Sequence, residues 1–464
     1  MAIKLYNIFN DRKEKFSPKK EKNVSMYVCG VTPYADVHLG HARTYLVFDI
    51  IKRHLLRRGY KVTHVQNFTD VDDKIIKMSQ MKNINPSKLA QFYINDYFTQ
   101  VDKLNILRAD KYPRVTQSIP EIINFVRILL DRGFAYEIDG NVYFSVGKSE
   151  DYGKMSRRNL KNLKCLPRVV SCNDKKSTLD FVLWKRAKKD DPAEVIWESP
   201  WGKGRPGWHI ECSVMSSMFL GDTIDIHGGG NDLIFPHHEN EIAQSEAMTG
   251  KQFVKYWIHS GFVTIGKEKM SKTLNNFLSL EAVFRKHSPR TVRYYLLTQH
   301  YSTPLCFSDL ALETAKSALQ GIDEAYARLV SLVKNSTADI IDEDLLELQD
   351  KFLMALDDDF NSERAISYLH KVKNVVLKEI FNGDKERLLQ LRKLFESLAE
   401  VSLGIILHTR QNVDENLRVL LRERSEARKN GNWTESDRLR NLIAERGYKL
   451  VDNKDGSSVL LKKI

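Results

Sequence analysis

Between Val24 and Phe68 the hydrophobic period of the chain changes twice, and that change fixes the fold class. Val24 to Val28 is a short apolar run of strand length. Ala42 to Leu56 places Leu46, Val47, Ile50, Ile51 and Leu55 at helical spacing, and Gly59 follows as a helix stop. Lys61 to Phe68 is a second strand, so residues 24–75 form a β-α-β unit. Two apolar strands around a helix call for a parallel sheet with its ligand at the strands' carboxyl ends. The first strand runs into the helix through Cys29-Gly30-Val31-Thr32-Pro33-Tyr34-Ala35-Asp36-Val37-His38-Leu39-Gly40-His41. A helix start offers unpaired N–H groups and a positive dipole end, both suited to phosphate. Gly40 permits close approach, and His38 and His41 are donors able to stabilise charge that develops in a transition state. Taken alone, such a pair is as readily a helix cap.

A second stretch changes the weighing. Gly266-Lys267-Glu268-Lys269-Met270-Ser271-Lys272-Thr273 is a glycine- and lysine-rich loop able to clamp a polyphosphate. Together the two resemble the signature motifs of class I aminoacyl-tRNA synthetases, here HLGH and KMSKT. The second strand ends in Asn67-Phe68-Thr69-Asp70-Val71-Asp72-Asp73-Lys74-Ile75-Ile76, and this pattern resembles the cysteinyl-tRNA synthetases in particular. The resemblance spans essentially the whole chain. Departures are small: Leu39 and Thr273 replace isoleucine and serine, and Asn275 stands where the family usually has glycine.

The resemblance implies an α/β chain built on a Rossmann-type parallel-sheet catalytic domain with an insertion. An α-helical bundle and a small α+β anticodon-binding unit follow it. The expected divisions are 1–134 and 206–265 for the two halves of the catalytic domain, with 135–205 as a connective insertion. Residues 266–308 hold the KMSKT loop and a stem-contact region, 309–405 the helical bundle, and 412–464 the anticodon-binding unit. A length of 464 residues is too great for one core and agrees with about three domains. Cys165 and Cys172 lie in the insertion without the close pairing of a zinc knuckle and are read as free thiols. The insertion looks too short for an editing domain.

His237 and Glu241 are four residues apart and share a helix face opened by Pro236. His238 is a geometric alternative, and spacing cannot join Cys29 and Cys212 to them. The family pattern selects Cys29, Cys212, His237 and Glu241 as ligands of one Zn2+ per chain, a set suited to that ion. The same resemblance places ATP, with Mg2+, on His38, Gly40, His41, His227, Gly229 and Lys272. It places the amino acid on Thr69, Trp208 and Asp232, and the catalytic roles on His38, His41, Lys269 and Lys272. Arg428, Trp433, Asp437 and Asp452 match anticodon positions, and a tryptophan in a polar turn could pack the two helices together or stack on an unpaired base.

The implied activity is ligation of L-cysteine to tRNA(Cys) through cysteinyl adenylate, with zinc selecting the thiol. A net charge of +12 agrees with a polyanionic partner. No apolar run reaches membrane-spanning length, no signal peptide is evident, and five cysteines at irregular spacings argue against a disulfide framework. A cytoplasmic monomer is expected. Two other readings stand beside this one. An enzyme of the same fold could join cysteine to an amino sugar, although such relatives lack the tail at 412–464. A non-catalytic RNA-binding paralogue would have no need of the KMSKT lysines.

Overall fold

The computed structural model describes residues 2–157, 175–266, 268–269, 277–333, 339–408, 415–452 and 458–462. Two compact units result: Ala2–Ala282 with Tyr301–Leu305, and Val283–His300 with Cys306–Ile464. The first is organised by a four-stranded parallel sheet. Its strands are β1 (Asn23–Val28), β2 (Lys61–Gln66), β3 (Ile224–Gly230) and β4 (Val254–Ser260), in the order β4-β3-β1-β2. The expected β-α-β unit is present, with α1 (Leu39–Arg57) between β1 and β2 and Gly59 at a φ of +76° after it. Val24, Met26, Val28, Val62 and Val65 are buried, as the apolar runs predict.

Two details differ from the sequence expectation. From sequence the third strand is the apolar run Thr223 to Ile226 leading into a glycine turn at 228–230, whereas in the structure those glycines belong to the strand, Ile224–Gly230. A β-carbon on Gly228 would lie 1.9 Å from the carbonyl oxygen of Ile258, so the glycine is what lets β3 and β4 pair there. Nor does Pro236 open a helix. Ile234–His238 form a separate turn in which Phe235 is extended, and α3 (Glu239–Thr249) begins after it. The helix α2 (Trp208–Leu220) precedes β3.

The insertion forms a second, antiparallel sheet: Ala135–Ile138, Asn141–Phe144, Phe181–Arg186 and Gly204–Pro206, paired in chain order. Its Trp184 is fully buried and shares one hydrophobic cluster with Tyr27, Val65, Leu129 and Trp257. Cys165 and Cys172 lie outside the described residues.

In the second unit, Pro289–Leu297, Asp309–Leu332, Glu343–Asp357, Ser362–Asn382 and Lys385–Glu396 are helices, most of them with amphipathic faces the sequence foreshadows. Ser288, Ser308, Asn361 and Asp384 cap the starts of four of these five through side-chain oxygens. Leu312, Leu319, Phe352, Leu369 and Phe395 are fully buried. Arg290 binds Asp323 through both terminal guanidinium nitrogens at 3.0 and 2.8 Å. Toward the C-terminus, helices Glu415–Lys429 and Trp433–Glu445 and the hairpin Tyr448–Asp452/Ser458–Lys462 share a small core of Leu417, Ile443, Leu450 and Leu460. Among the described residues, no helix is long and apolar enough to cross a membrane.

Candidate active site and metal centre

A cavity of about 340 Å³ opens at the carboxyl ends of β1, β3 and β4, where a parallel sheet places its ligands. Cys29, His38, Gly40, His41, Trp208 and Asp232 line it, six of the residues singled out from sequence. The two histidines at the start of α1 form a reciprocal cap. His38 Nδ1 accepts the His41 N–H at 3.1 Å, and His41 Nδ1 accepts the His38 N–H at 3.4 Å. Their rings stack with centroids 3.5 Å apart. A neutral imidazole that accepts through Nδ1 carries its proton on Nε2, so the cap fixes that tautomer in both residues. A capping role and a donor role at Nε2 are therefore compatible.

The segment beyond the KMSKT stretch returns to this turn. Leu39 N–H bonds the Leu278 carbonyl at 3.3 Å, Leu280 N–H bonds the Val37 carbonyl at 2.8 Å, and the Phe277 ring packs edge-on against His38. Glu268–Lys269 form a short strand against Thr264–Ile265. Lys272 lies outside the described residues, as does the side chain of Lys269.

Below the cavity, Cys29, Cys212, His237 and Glu241 converge, each offering one donor atom within 4.8 Å of the others. Cys29 leaves β1, Cys212 sits in α2, and His237 and Glu241 flank the start of α3. The two sulfurs are 3.7 Å apart, and His237 Nε2 lies 3.0 Å from Glu241 Oε1. All four are buried, and the pocket's electrostatics already favour a cation. Burial alone would lower His237, yet the Glu241 carboxylate and Cys212 raise it to about 10. Burial would likewise raise Glu241, but His227 and His237 bring it down to about 2. A hydrogen bond from Cys29 holds Cys212 down to about 6, while burial pushes the Cys29 thiol up. Glu241 and Cys212 thus both favour positive charge at His237, the charge that a divalent ion would supply. Two thiols, an imidazole and a carboxylate are a donor set for Zn2+.

A second grouping shares two of these donors: Cys29, His227, His238 and Glu241. His227 bonds the Tyr27 carbonyl at 3.1 Å and Glu241 Oε2 at 2.8 Å, and its ring stacks on Trp257. His238 Nδ1 lies 2.8 Å from His259 Nε2. These rings are set deep. By contrast, the ring of Trp208 stacks on His237 with centroids 4.3 Å apart and also lines the cavity. Of the donors in the two sets, Cys29, which both share, lines the cavity, and Trp208 connects the cavity to His237.

Several predicted residues lie elsewhere. His227, expected at ATP, is fully buried behind Glu241 and does not line the cavity. Thr69 is buried beside Asn67, whose Oδ1 accepts the Gly30 N–H at 2.9 Å. Gly229 is not on the lining but borders it, since a β-carbon there would meet Leu233 and Cys29, which both line the cavity. In the C-terminal unit, Asp452 accepts from Arg424 at 2.8 Å and pairs with Arg428 at 2.8 Å, so these two predicted anticodon residues also tie the unit together. Asp437 is exposed, and Trp433 is 63% exposed at its helix start. Sequence reasoning missed His209, whose Nδ1 lies 3.0 Å from His237 Nδ1, and His259 at the end of β4. The available signal was a histidine near a strand's carboxyl end or beside a cysteine.

The family model for the class I (C) tRNA synthetase catalytic domain matches residues 15–317, and the DALR domain model matches 351–408. The chain is 65% identical over 465 residues to the cysteine–tRNA ligase of Endomicrobium trichonymphae, covering all of both chains. It is 44% identical to that of Thermococcus onnurineus, covering 98% of each. In structure it resembles Mycobacterium tuberculosis methionyl-tRNA synthetase in complex with methionyl-adenylate, with a TM-score of 0.62 at 17% identity. That likeness covers 83% of this chain and 92% of the other.

Proposed function

Since the chain belongs to the class I cysteine–tRNA ligase family, we propose that the cavity is where it activates L-cysteine with ATP before transfer to tRNA(Cys). The observation that carries this reading is the joining of two halves in one place. Phosphate-directed donors at the start of α1 stand over a thiol-rich donor set at the end of β1. The Nε2–H groups of His38 and His41 stabilise the negative charge that grows on the α-phosphate, with the dipole of α1 behind them. Lys269 and Lys272 neutralise the departing pyrophosphate. Asp232 and Trp208 line the amino-acid end, Asp232 as the partner for an ammonium group and Trp208 as an apolar wall.

Cys29, Cys212, His237 and Glu241 hold Zn2+, with Mg2+ accompanying ATP. When bound, zinc supplies a soft acceptor for the thiolate that cysteine has and serine lacks. Size alone separates substrates differing by one small group by roughly 1–3 kcal/mol, too little for accurate decoding. Residues 412–464 read the anticodon, with Trp433 as the stacking surface.

The test is ATP–pyrophosphate exchange over a panel of amino acids, with and without a zinc chelator. Cysteine alone should support exchange, chelation should abolish it, and added zinc should restore it. Exchange driven equally by serine, or untouched by chelation in a zinc-free protein, would refute the metal reading.

A further inference from the structure

Glu239 lies between the metal-donor residues in sequence yet belongs to neither donor set. Its side chain is 1% exposed and accepts three backbone N–H groups from the connective segment. Gly153 N–H reaches Oε1 at 3.0 Å, Met155 N–H reaches Oε1 at 3.4 Å, and Ser156 N–H reaches Oε2 at 2.8 Å. Gly153 has a φ of +96°, a backbone turn that side chains resist, and it brings these N–H groups together around one carboxylate. Tyr152 Oη donates to Asn240 Oδ1 at 2.5 Å, and Lys154 Nζ meets Glu246 Oε2 at 2.5 Å. Tyr152 and Met155 are buried. One five-residue segment thus grips α3 at its first turn and again two turns on.

A buried carboxylate is costly to leave unpaired, so three donors on Glu239 hold the start of α3 firmly. That start is also where the metal donors are presented: His237 two residues before, Glu241 two residues after. A metal shell tolerates little looseness in its supports. We infer that Glu239 is a positioning residue for the metal centre, through which Tyr152–Ser156 of the insertion fixes the backbone presenting His237 and Glu241. This rests on the proposed zinc site.

The test compares Glu239→Gln, Glu239→Asp and Tyr152→Phe with the full-length parent. Zinc affinity is measured by competition with a chromophoric chelator, KM for cysteine and for ATP by pyrophosphate exchange, and Tm by thermal unfolding. Glutamine replaces one acceptor oxygen with an amide that cannot accept an N–H. Glu239→Gln should bind zinc roughly tenfold more weakly and raise the KM for cysteine while leaving that for ATP unchanged. Glu239→Asp, which keeps both oxygens, should recover part of the affinity. Tyr152→Phe, losing one bond, should weaken zinc by roughly threefold and decides the matter if Glu239→Gln does not fold. Parental zinc affinity and cysteine KM in the folded variants, whatever the fall in Tm, would overturn the inference. A parent protein that takes up no zinc would instead overturn the zinc site itself.

Discussion

Cys212 shows at the residue scale what the site demands of a side chain. It sits 3.7 Å from Cys29 with its thiol held down by that neighbour, a donor ready to lose its proton to a metal. Serine in its place is nearly isosteric but a harder donor that ionises far less readily. Cys212→Ser should therefore lose zinc and depress cysteine-dependent exchange by at least ~10²-fold, while ATP binding survives. Metal content by atomic absorption and ATP binding by equilibrium dialysis check the two halves; retained zinc with full exchange would contradict it. The four donors were legible only through resemblance, because residues 29, 212, 237 and 241 are joined by topology and not by spacing. His227, placed at ATP by the resemblance, has surroundings that spacing could not show. It sits within β3, and its ring bonds the Tyr27 carbonyl and the Glu241 carboxylate in the core.

Elements were more legible than side-chain environments. The β-α-β unit and the amphipathic helices follow from hydrophobic period, which is a local property. The end of β3 does not, since three glycines signal a turn until one knows that the Ile258 carbonyl lies where a β-carbon would be. The paired elements at the C-terminus have their own small core, with Trp433 exposed at the turn between two helices. Removing residues 412–464 should leave pyrophosphate exchange near its full rate and reduce tRNA charging at least tenfold, about 1.4 kcal/mol of binding or more. Measuring both reactions on the same preparation separates the roles; normal charging by the truncated enzyme would remove the tail from anticodon reading.

Across the whole molecule, a buried histidine links stability to pH. His64 on β2 is 4% exposed, and burial, helped by the nearby Lys52 ammonium, lowers it to about 3. Its unfolded value is near 6.5, so the unfolded chain takes up the proton first as pH falls. The neutral ring's contribution is whole above that value and shrinks steadily toward pH 3. At pH 5 the loss is about 2 kcal/mol, from 1.36 kcal/mol per unit. Denaturant unfolding at pH 7.5 and pH 5 should show a pH-dependent loss smaller by that amount in His64→Gln; identical losses would contradict the assignment. The resemblance implied a division into catalytic sheet, insertion and helical region, and the boundary between the two compact units falls near Ala282, inside the expected 266–308 region. Strand order carries a last consequence, for synthesis. The neighbour that completes one side of β1 is β3, whose first residue, Ile224, follows Val28 by about 200 residues. At roughly 5–20 residues per second, the ribosome leaves that edge of β1 without its partner for some 10–40 s. A bare apolar strand edge is a template for pairing with other chains, so the nascent protein spends that interval needing a chaperone's shelter more than at any later time.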